Sequence, residues 1–371
     1  MRTRLSSWLR GRPLRIAALS ASLAVCTSGL HAADINWTNL GSGNWTDTAN
    51  WDSGTVPTGT DSANITNGGT ANITTAIPDL GGDSGANQGV VILSNASKLN
   101  VNAPATTITV GDVFLGANDA VAGPNSELNI SGGTFSGREV TVGGDWAGRN
   151  GAGGTSGNAA INLTDTGGAA AFSTRGGGLM IGRVGTSIGS MTQTGANTTT
   201  TANWLQLAED ATAVGNYTLN SGKLHVIGDG GSWAGLEVAR GGTGTFLQNG
   251  GDVAIDHRGL RIAVNAGSTG TYTIKGGTLD VNGPGSGEWA FIGVGGTGTL
   301  NVDGGNVVFH HRVHVGQNDG ATGIVNQTAG SVRFAGEDEA RIDEPSLNLG
   351  DNLSHSEYNL SGGTLQLDKN L

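Results

Sequence analysis

Apolar and polar residues alternate along most of this chain, in short runs that recur many times. One repeat reads Tyr272-Thr-Ile-Lys-Gly-Gly-Thr-Leu-Asp-Val281 and closes with Phe291-Ile292-Gly293. Alternation with a period of two predicts strands with one buried face. The Gly-Gly pair supplies a sharp corner between the first two runs. Each repeat therefore predicts a first, a second and a third short strand, separated by turns.

The third run of each repeat marks the interval most clearly, because an apolar, a variable and an apolar residue are followed by Gly or Ala. From Gly116 to Gly350 it recurs in eight steps over 234 residues, about 29 residues each. The copies are 113–116, 140–143, 179–182, 205–208, 236–239, 260–263, 290–293, 313–316 and 347–350. A fixed long period is typical of a solenoid. We therefore predict an all-β chain, a single right-handed parallel β-helix (β-solenoid) of about ten coils with three short strands each.

The alternation also assigns a direction to each side chain of the third strands. The two apolar positions point into the core and the middle position points out. On this register Ile262 and Val315 are expected to be buried, and Arg261 and His314 to be exposed. The middle residues differ in chemistry from coil to coil, as expected of a solvated face. They are Phe114, Thr141, Met180, Gln206, Glu237, Arg261, Phe291, His314 and Asn348.

The sequence predicts that the chain consists of three parts. Residues 1–32 have the pattern of a signal peptide, with five arginines, a short apolar stretch and a small-residue cleavage site. Residues 33–65 hold Trp37, Trp45 and Trp51, which we interpret as a cap over the open end of the solenoid. The alternative is a patch of exposed rings that stacks on sugars. Residues 66–371 hold the β-helix repeats.

Composition and charge exclude several classes of protein. Glycine supplies 67 of 371 residues, which could indicate disorder, but the regular spacing of Val, Ile, Leu and Phe argues against it. The single cysteine, Cys26, lies in the signal, so no disulfide is expected. The apolar stretch of the signal is too short for a stable membrane anchor, and no other transmembrane segment is expected. Removing its five arginines leaves 14 basic against 30 acidic residues, a formal charge of −16. Nucleic acid is therefore not an expected partner.

One group of residues could carry chemistry, because stacking brings residues of successive coils together. Cationic His and Arg side chains beside a carboxylate could neutralise a uronate and abstract a proton. The alternative is that these are outward strand and turn residues on a solvated face. The group consists of His310, His311, Arg312 and His314 together with Asp256 and His257. The coil between these two sets of residues carries Asp280 and Glu288.

Two further features of the sequence could bind a ligand. The densest charge run includes Glu337, Asp338, Glu339 and Asp343. Carboxylate oxygens suit Ca²⁺, but the spacing matches neither an EF-hand nor a nonapeptide calcium repeat, so a solvated turn is the alternative. Four tryptophans near third strands could stack on sugars or pack under turns; they are Trp146, Trp204, Trp233 and Trp289. No catalytic triad, phosphate-binding loop or His/Cys metal motif is present in the sequence, and no cofactor is expected.

The tryptophan-rich segment also carries a resemblance. Gly43-Asn-Trp-Thr-Asp-Thr-Ala-Asn-Trp51, Val56-Pro57 and Asp61-Ser-Ala-Asn-Ile65, together with the repeat Leu300-Asn-Val-Asp-Gly-Gly305, resemble surface proteins with autotransporter-associated β-strand repeats. The resemblance implies export and a surface or extracellular role, and it brings no catalytic residues. Many such proteins end in a sorting tail or an outer-membrane barrel. Neither follows Gly363 here, so a missing C-terminal membrane anchor or a released protein is expected.

These observations lead to a hypothesis about function. We expect an exported, non-catalytic protein of the cell surface or extracellular matrix, with an adhesion-type role and with extracellular glycans or other surface proteins as partners. The alternative is a secreted polysaccharide lyase or glycoside hydrolase on a β-helix scaffold.

Overall fold

The structure is a computed structural model that describes residues 33–81, 89–117, 125–144, 156–228, 235–281, 288–337 and 346–368. These residues form 32 strands and one short 3₁₀ helix, Thr48–Asn50. The prediction of an all-β solenoid is confirmed. The predicted signal peptide lies outside the described residues.

The strands follow one another in the repeating order that the sequence predicts. In chain order they are β1 (Asp34–Asn36), β2 (Ser42–Asn44), β3 (Ser62–Ile65), β4 (Thr70–Ile73), β5 (Val91–Leu93), β6 (Lys98–Thr109), β7 (Val113–Leu115), β8 (Ser126–Gly137), β9 (Val140–Val142), β10 (Asn158–Thr164), β11 (Ala170–Thr174), β12 (Leu179–Ile181), β13 (Ile188–Thr194), β14 (Thr198–Ala202), β15 (Leu205–Leu207) and β16 (Val214–Leu219). They continue as β17 (Lys223–Val226), β18 (Leu236–Val238), β19 (Thr243–Gln248), β20 (Asp252–Ile255), β21 (Leu260–Ile262), β22 (Thr269–Ile274), β23 (Thr278–Val281), β24 (Ala290–Ile292), β25 (Thr297–Val302), β26 (Asn306–Phe309), β27 (Val313–Val315), β28 (Thr322–Gln327), β29 (Ser331–Phe334), β30 (Leu347–Leu349), β31 (His355–Leu360) and β32 (Thr364–Leu367).

Three parallel sheets wrap around one core. The third-strand sheet has 12 strands in the order β1-β3-β5-β7-β9-β12-β15-β18-β21-β24-β27-β30. The first-strand sheet contains β10, β13, β16, β19, β22, β25, β28 and β31, and the second-strand sheet contains β11, β14, β17, β20, β23, β26, β29 and β32. The long strands β6 and β8 pair with one another on both sides of a register shift, so these two sheets join there.

The register places equivalent residues of successive repeats directly opposite one another. Tyr272 pairs with Phe246 of the preceding coil and with Leu300 of the next. Inward side chains therefore stack along the solenoid axis. The rings of Tyr217, Phe246 and Tyr272 are parallel and 4.8 and 4.5 Å apart, a spacing close to the separation of paired strands. Ile262 and Val315 are fully buried, as predicted.

Buried glutamines stabilise the corner after some first strands. The alternation of apolar residues does not predict these buried polar side chains. Gln248 is completely buried; its side-chain amide donates to the carbonyls of Gly251 and Thr278, both at 2.9 Å. Its Oε1 accepts a 2.8 Å hydrogen bond from the Tyr272 hydroxyl. Gln193 is bonded in the same way to Tyr217. Because each buried amide is satisfied, it fixes the corner and escapes the usual penalty for burying a polar group.

A column of glycines packs each first strand against the end of the preceding third strand. A Cβ added to any of them would lie 2.3–2.4 Å from a backbone atom. At Gly298 that atom is the amide nitrogen of Gly293, which itself donates to the Ile262 carbonyl. Glycine is therefore required here for close approach of two backbones. The column contains Gly189, Gly215, Gly244, Gly270, Gly298 and Gly323.

Three tryptophans close the N-terminal part of the core. Trp37, Trp45 and Trp51 are all buried. The Trp51 ring meets Trp37 at 5.0 Å and Trp45 at 4.9 Å, both edge to face, and its indole donates a 2.8 Å hydrogen bond to the Trp45 carbonyl. Such interlocked rings offer no flat face to a sugar. Their packing favours the cap interpretation over the ligand patch.

Candidate functional site

The outer side of the third-strand sheet differs from the predicted solvated face. Its middle residues point away from the core, but Phe114, Thr141, Met180, Gln206, Glu237 and His314 are buried, while Arg261, Phe291 and Asn348 are partly exposed. The prediction that His314 is exposed is therefore wrong, and Arg261 is only partly exposed. Alternation determines the direction of a side chain relative to the core, but neighbouring side chains of other coils decide whether that outer side meets water.

Polar contacts between coils explain much of this burial. The Arg183 guanidinium bridges Glu139 and Glu209, at 2.8 Å from each carboxylate. The buried Glu237 carboxylate accepts hydrogen bonds from Gln206 at 3.0 Å and from Arg240 at 2.9 Å. Charged side chains of this sheet thus form a second, polar layer outside the apolar core.

An aromatic and cationic stack continues this layer in the later coils. Arg261, Phe291 and His314 are the middle residues of β21, β24 and β27 and pair in register. The Arg261 guanidinium carbon lies 5.7 Å from the Phe291 ring centre, and the His314 ring lies 5.2 Å from the same ring, tilted by 24°. Phe291 is therefore covered by a cation on one face and by an imidazole on the other.

His314 and Asp351 form a dyad at the end of this stack. Nδ1 of His314 lies 2.5 Å from Oδ2 of Asp351, while Asn348 donates a 2.7 Å hydrogen bond to the other carboxylate oxygen. The imidazole also stacks on Trp289 at 5.0 Å. Among the described residues, Nε2 of His314 has no hydrogen-bond partner although the atom is buried. Asp351 holds the imidazole through the opposite nitrogen, the arrangement used to orient a histidine base.

The ionisation of His314 predicts a pH-dependent stability. Burial lowers the pKa of His314 below its usual value of 6.5; the hydrogen bond that its imidazole donates to the Asp351 carboxylate opposes this shift, and the charge of Arg312 adds to it. The unfolded chain therefore binds the proton more readily than the folded chain. The stabilisation is complete above pH 6.5 and is lost as the pH falls towards the lower folded value.

We expect the melting temperature of the wild-type chain to fall more between pH 8 and pH 5 than that of a His314→Gln variant, which keeps a polar side chain but does not titrate there. Thermal unfolding followed by circular dichroism at each pH measures the difference between the two curves. Parallel curves would show that His314 contributes nothing to the pH dependence.

The other histidines of the group that the sequence singles out have partners of their own. His310 lies between two carboxylates: its Nε2 is 3.0 Å from Asp280 and its Nδ1 is 3.0 Å from Glu337. Asp256 instead pairs with His225, at 2.7 Å. No hydrogen bond or ion pair among the described residues joins Asp256 or His257 to residues 310–314. The intervening coil instead contributes Asp280 as a partner of His310.

These pairs follow a rule of the solenoid. The outward residue of a second strand meets the residue directly after the second strand of the next coil, as in His225 with Asp256 and Asp280 with His310. Arg333 and Asp368 repeat the contact at 2.6 Å. His257 is exposed. His311, which lies in a later coil and directly precedes Arg312 in the sequence, is buried. The recurrence shows that cross-coil pairing accounts for the position of Asp256 and His310.

Most of the proposed calcium run lies outside the described residues. Glu337 is the one residue of the proposed calcium run that is described, and its partner is His310; Asp338, Glu339 and Asp343 lie outside the described residues. Within the described ranges, no three His, Cys, Asp or Glu side chains are arranged to hold a metal ion. Trp146 and Trp233, two of the tryptophans near third strands, also lie outside the described residues.

Two cavities open on the described surface. One, of about 440 Å³, is lined by uncharged residues around Pro104, Gly133 and Ala170. The other, of about 260 Å³, is lined by Arg258, Arg261, Glu288, Trp289 and Phe291, next to the His314 stack. The second combines charge, aromatic surface and a neighbouring His–Asp dyad, so it is the better candidate for a ligand site.

The sequence indicated Glu288 on the intervening coil but not its pairing with Arg258, and it did not indicate Asp351. Arg258 and Glu288 form an ion pair at 3.3 Å across two coils, and Asp351 lies one coil beyond His314. The alignment of third strands could have placed Glu288 and Trp289 just before Phe291. It placed Asn348 opposite His314, but the contact with Asp351 depends on the turn after β30, which the alternation of apolar residues does not determine.

The fold and this site define the chain as a parallel β-solenoid with a cationic, aromatic cavity on one sheet. Comparison with models of known protein families, with curated proteins and with solved structures finds no match to the chain. No helical segment in the described ranges has the length and apolar character needed to cross a lipid bilayer.

Proposed function

We propose that this chain is an exported, non-catalytic protein of the cell surface or extracellular matrix, whose solenoid acts as an adhesion or scaffolding rod. Extracellular glycans or other surface proteins are its proposed partners. The signal-like residues 1–32 and the resemblance to autotransporter-associated repeat proteins support export. The acidic balance, a formal net charge of −11 for the whole chain, supports a solvated, extended surface.

The observation that carries the non-catalytic role is the pairing between coils. Histidines, arginines and carboxylates of the described coils form ion pairs with residues one coil away, as in His225 with Asp256 and Arg183 with Glu139. Such contacts stabilise stacked repeats. An active site instead needs several of these groups to converge on one substrate position, whereas Asp256 and His310 are each engaged by a residue of a neighbouring coil.

The second candidate function is a secreted polysaccharide lyase or glycoside hydrolase. One observation favours it, the His314–Asp351 dyad with a buried Nε2 that has no hydrogen-bond partner in the described ranges. A histidine held in this way has the orientation of a general base. A carboxylate-bearing substrate would meet Arg261 in the adjoining cavity.

A turnover assay separates the two functions. We expect the purified chain, with and without Ca²⁺, to release neither reducing ends nor unsaturated products from pectin, alginate, xylan and sulfated glycans. Products that disappear in His314→Gln but persist in His310→Gln would establish the enzyme instead. His310→Gln is the matched control, because it removes an imidazole from the other cluster.

A further inference from the structure

The cavity beside the His314 stack has an unusual charge for this chain. Of its five lining residues, Arg258 and Arg261 are cationic and Glu288 is anionic, so it carries one excess positive charge in a protein of formal net charge −11. Arg312 adds a further cation, with its guanidinium carbon 4.9 Å from the centre of the Trp289 ring. A local positive site on an acidic protein favours an anionic ligand.

Arg261 is the group best placed to bind that anion. Two neighbouring carboxylates are already engaged: Glu237, the register partner of Arg261 in the preceding coil, accepts from Gln206 and Arg240, and Glu288 in the cavity pairs with Arg258. Within the described ranges the Arg261 guanidinium makes no ion pair, and its buried Nε makes no hydrogen bond. A guanidinium presents a planar pair of N–H groups that matches a carboxylate in two parallel hydrogen bonds.

The aromatic residues of the cavity also favour a negatively charged ligand. Both faces of Phe291 are covered, one by Arg261 and the other by His314, so a ligand in the cavity meets the edge of the ring. The edge of an aromatic ring carries the positive part of its quadrupole. It therefore accepts an anion more readily than it accepts a cation.

We propose that this cavity binds the carboxylate-bearing sugar unit of an acidic glycan. The sugar carboxylate pairs with Arg261, and the Glu288 carboxylate accepts a hydrogen bond from a sugar hydroxyl. The site deepens the proposed surface function, on which it rests, by naming the class of glycan. It also explains how an acidic solenoid holds an acidic polymer, since the arginine-bearing cavity offsets the overall repulsion.

The test is calorimetric titration of the purified chain with trigalacturonate. We expect binding that is lost with the methyl-esterified trisaccharide, which has the same sugar rings and no charge. Arg261→Gln should weaken binding about tenfold or more, the equivalent of about 1.4 kcal/mol, and Arg261→Lys should restore part of it through charge alone. Circular dichroism confirms that each variant is folded.

Arg333→Gln is the matched control, because it removes one positive charge from the second-strand sheet, away from the cavity. Its affinity should equal that of the wild type. Equal weakening by Arg261→Gln and Arg333→Gln, or binding of the esterified or a sulfated trisaccharide alone, would overturn the proposal.

The same samples analysed for products keep the two proposals separate. Binding without turnover supports both. Turnover with binding that depends on Arg261 removes the non-catalytic role and keeps the site. Absence of binding at millimolar trigalacturonate removes the site and leaves the surface function standing.

Discussion

Replacing Ile262 by aspartate is expected to unfold the coils on either side of it, at a cost of about 4 kcal/mol or more. Ile262 is fully buried in the third-strand sheet between Val238 and Ile292, its register partners. An aspartate there would place an unpaired carboxylate in an apolar ladder and remove the buried side chain. Hydrogen exchange measured by mass spectrometry should show lost protection in the neighbouring coils, and chemical unfolding should show the lost stability.

The matched control is Thr271→Asp in the first strand of the next coil. Thr271 lies on the outer side of β22, partly exposed, between Thr245 and Thr299, so we expect a change within about 0.5 kcal/mol. Arg261 is not a suitable control, because it packs on Phe291. Similar losses from Ile262→Asp and Thr271→Asp would mean that the strand register differs by one residue from the register described above.

Replacing Gly298 by valine is expected to cost about 3 kcal/mol, since overpacking of this kind commonly costs 1–3 kcal/mol and here the obstacle is backbone. The added Cβ would lie 2.3 Å from the amide nitrogen of Gly293, whose hydrogen bond to Ile262 links two coils. The backbone cannot retreat without breaking that bond. Chemical unfolding of the wild type, Gly298→Ala and Gly298→Val should show a graded loss.

Gly267→Ala separates the steric effect from the conformational one. Gly267 has a φ of +82°, and nothing lies within 4 Å of its added Cβ, so only the left-handed backbone is penalised, by about 1–2 kcal/mol. We expect Gly298→Val to be clearly worse than Gly267→Ala. If the two variants were equally stable, close approach of the backbones would not be the reason for the glycine column.

The sequence predicted the strands that build the candidate site more fully than the site itself. Its third-strand alignment placed Arg261, Phe291 and His314 at equivalent positions, and the structure stacks them in register. It did not indicate that His314 is buried, since burial there depends on contacts with Trp289 and Asp351 from other coils. The sequence also did not indicate that Arg261 makes no ion pair among the described residues, because this depends on Glu237 and Glu288 having other partners.

What the sequence determined by itself is the architecture: an all-β solenoid, its coil length, its strand register and the core positions such as Ile262 and Val315. These follow from local alternation repeated at a fixed interval, and each repeat confirms the others. What only the tertiary structure decided is which polar residues meet across coils, including the division of the His310 and His314 clusters. Side-chain pairing depends on small offsets between turns of unequal length, and the composition of a single repeat does not contain that information.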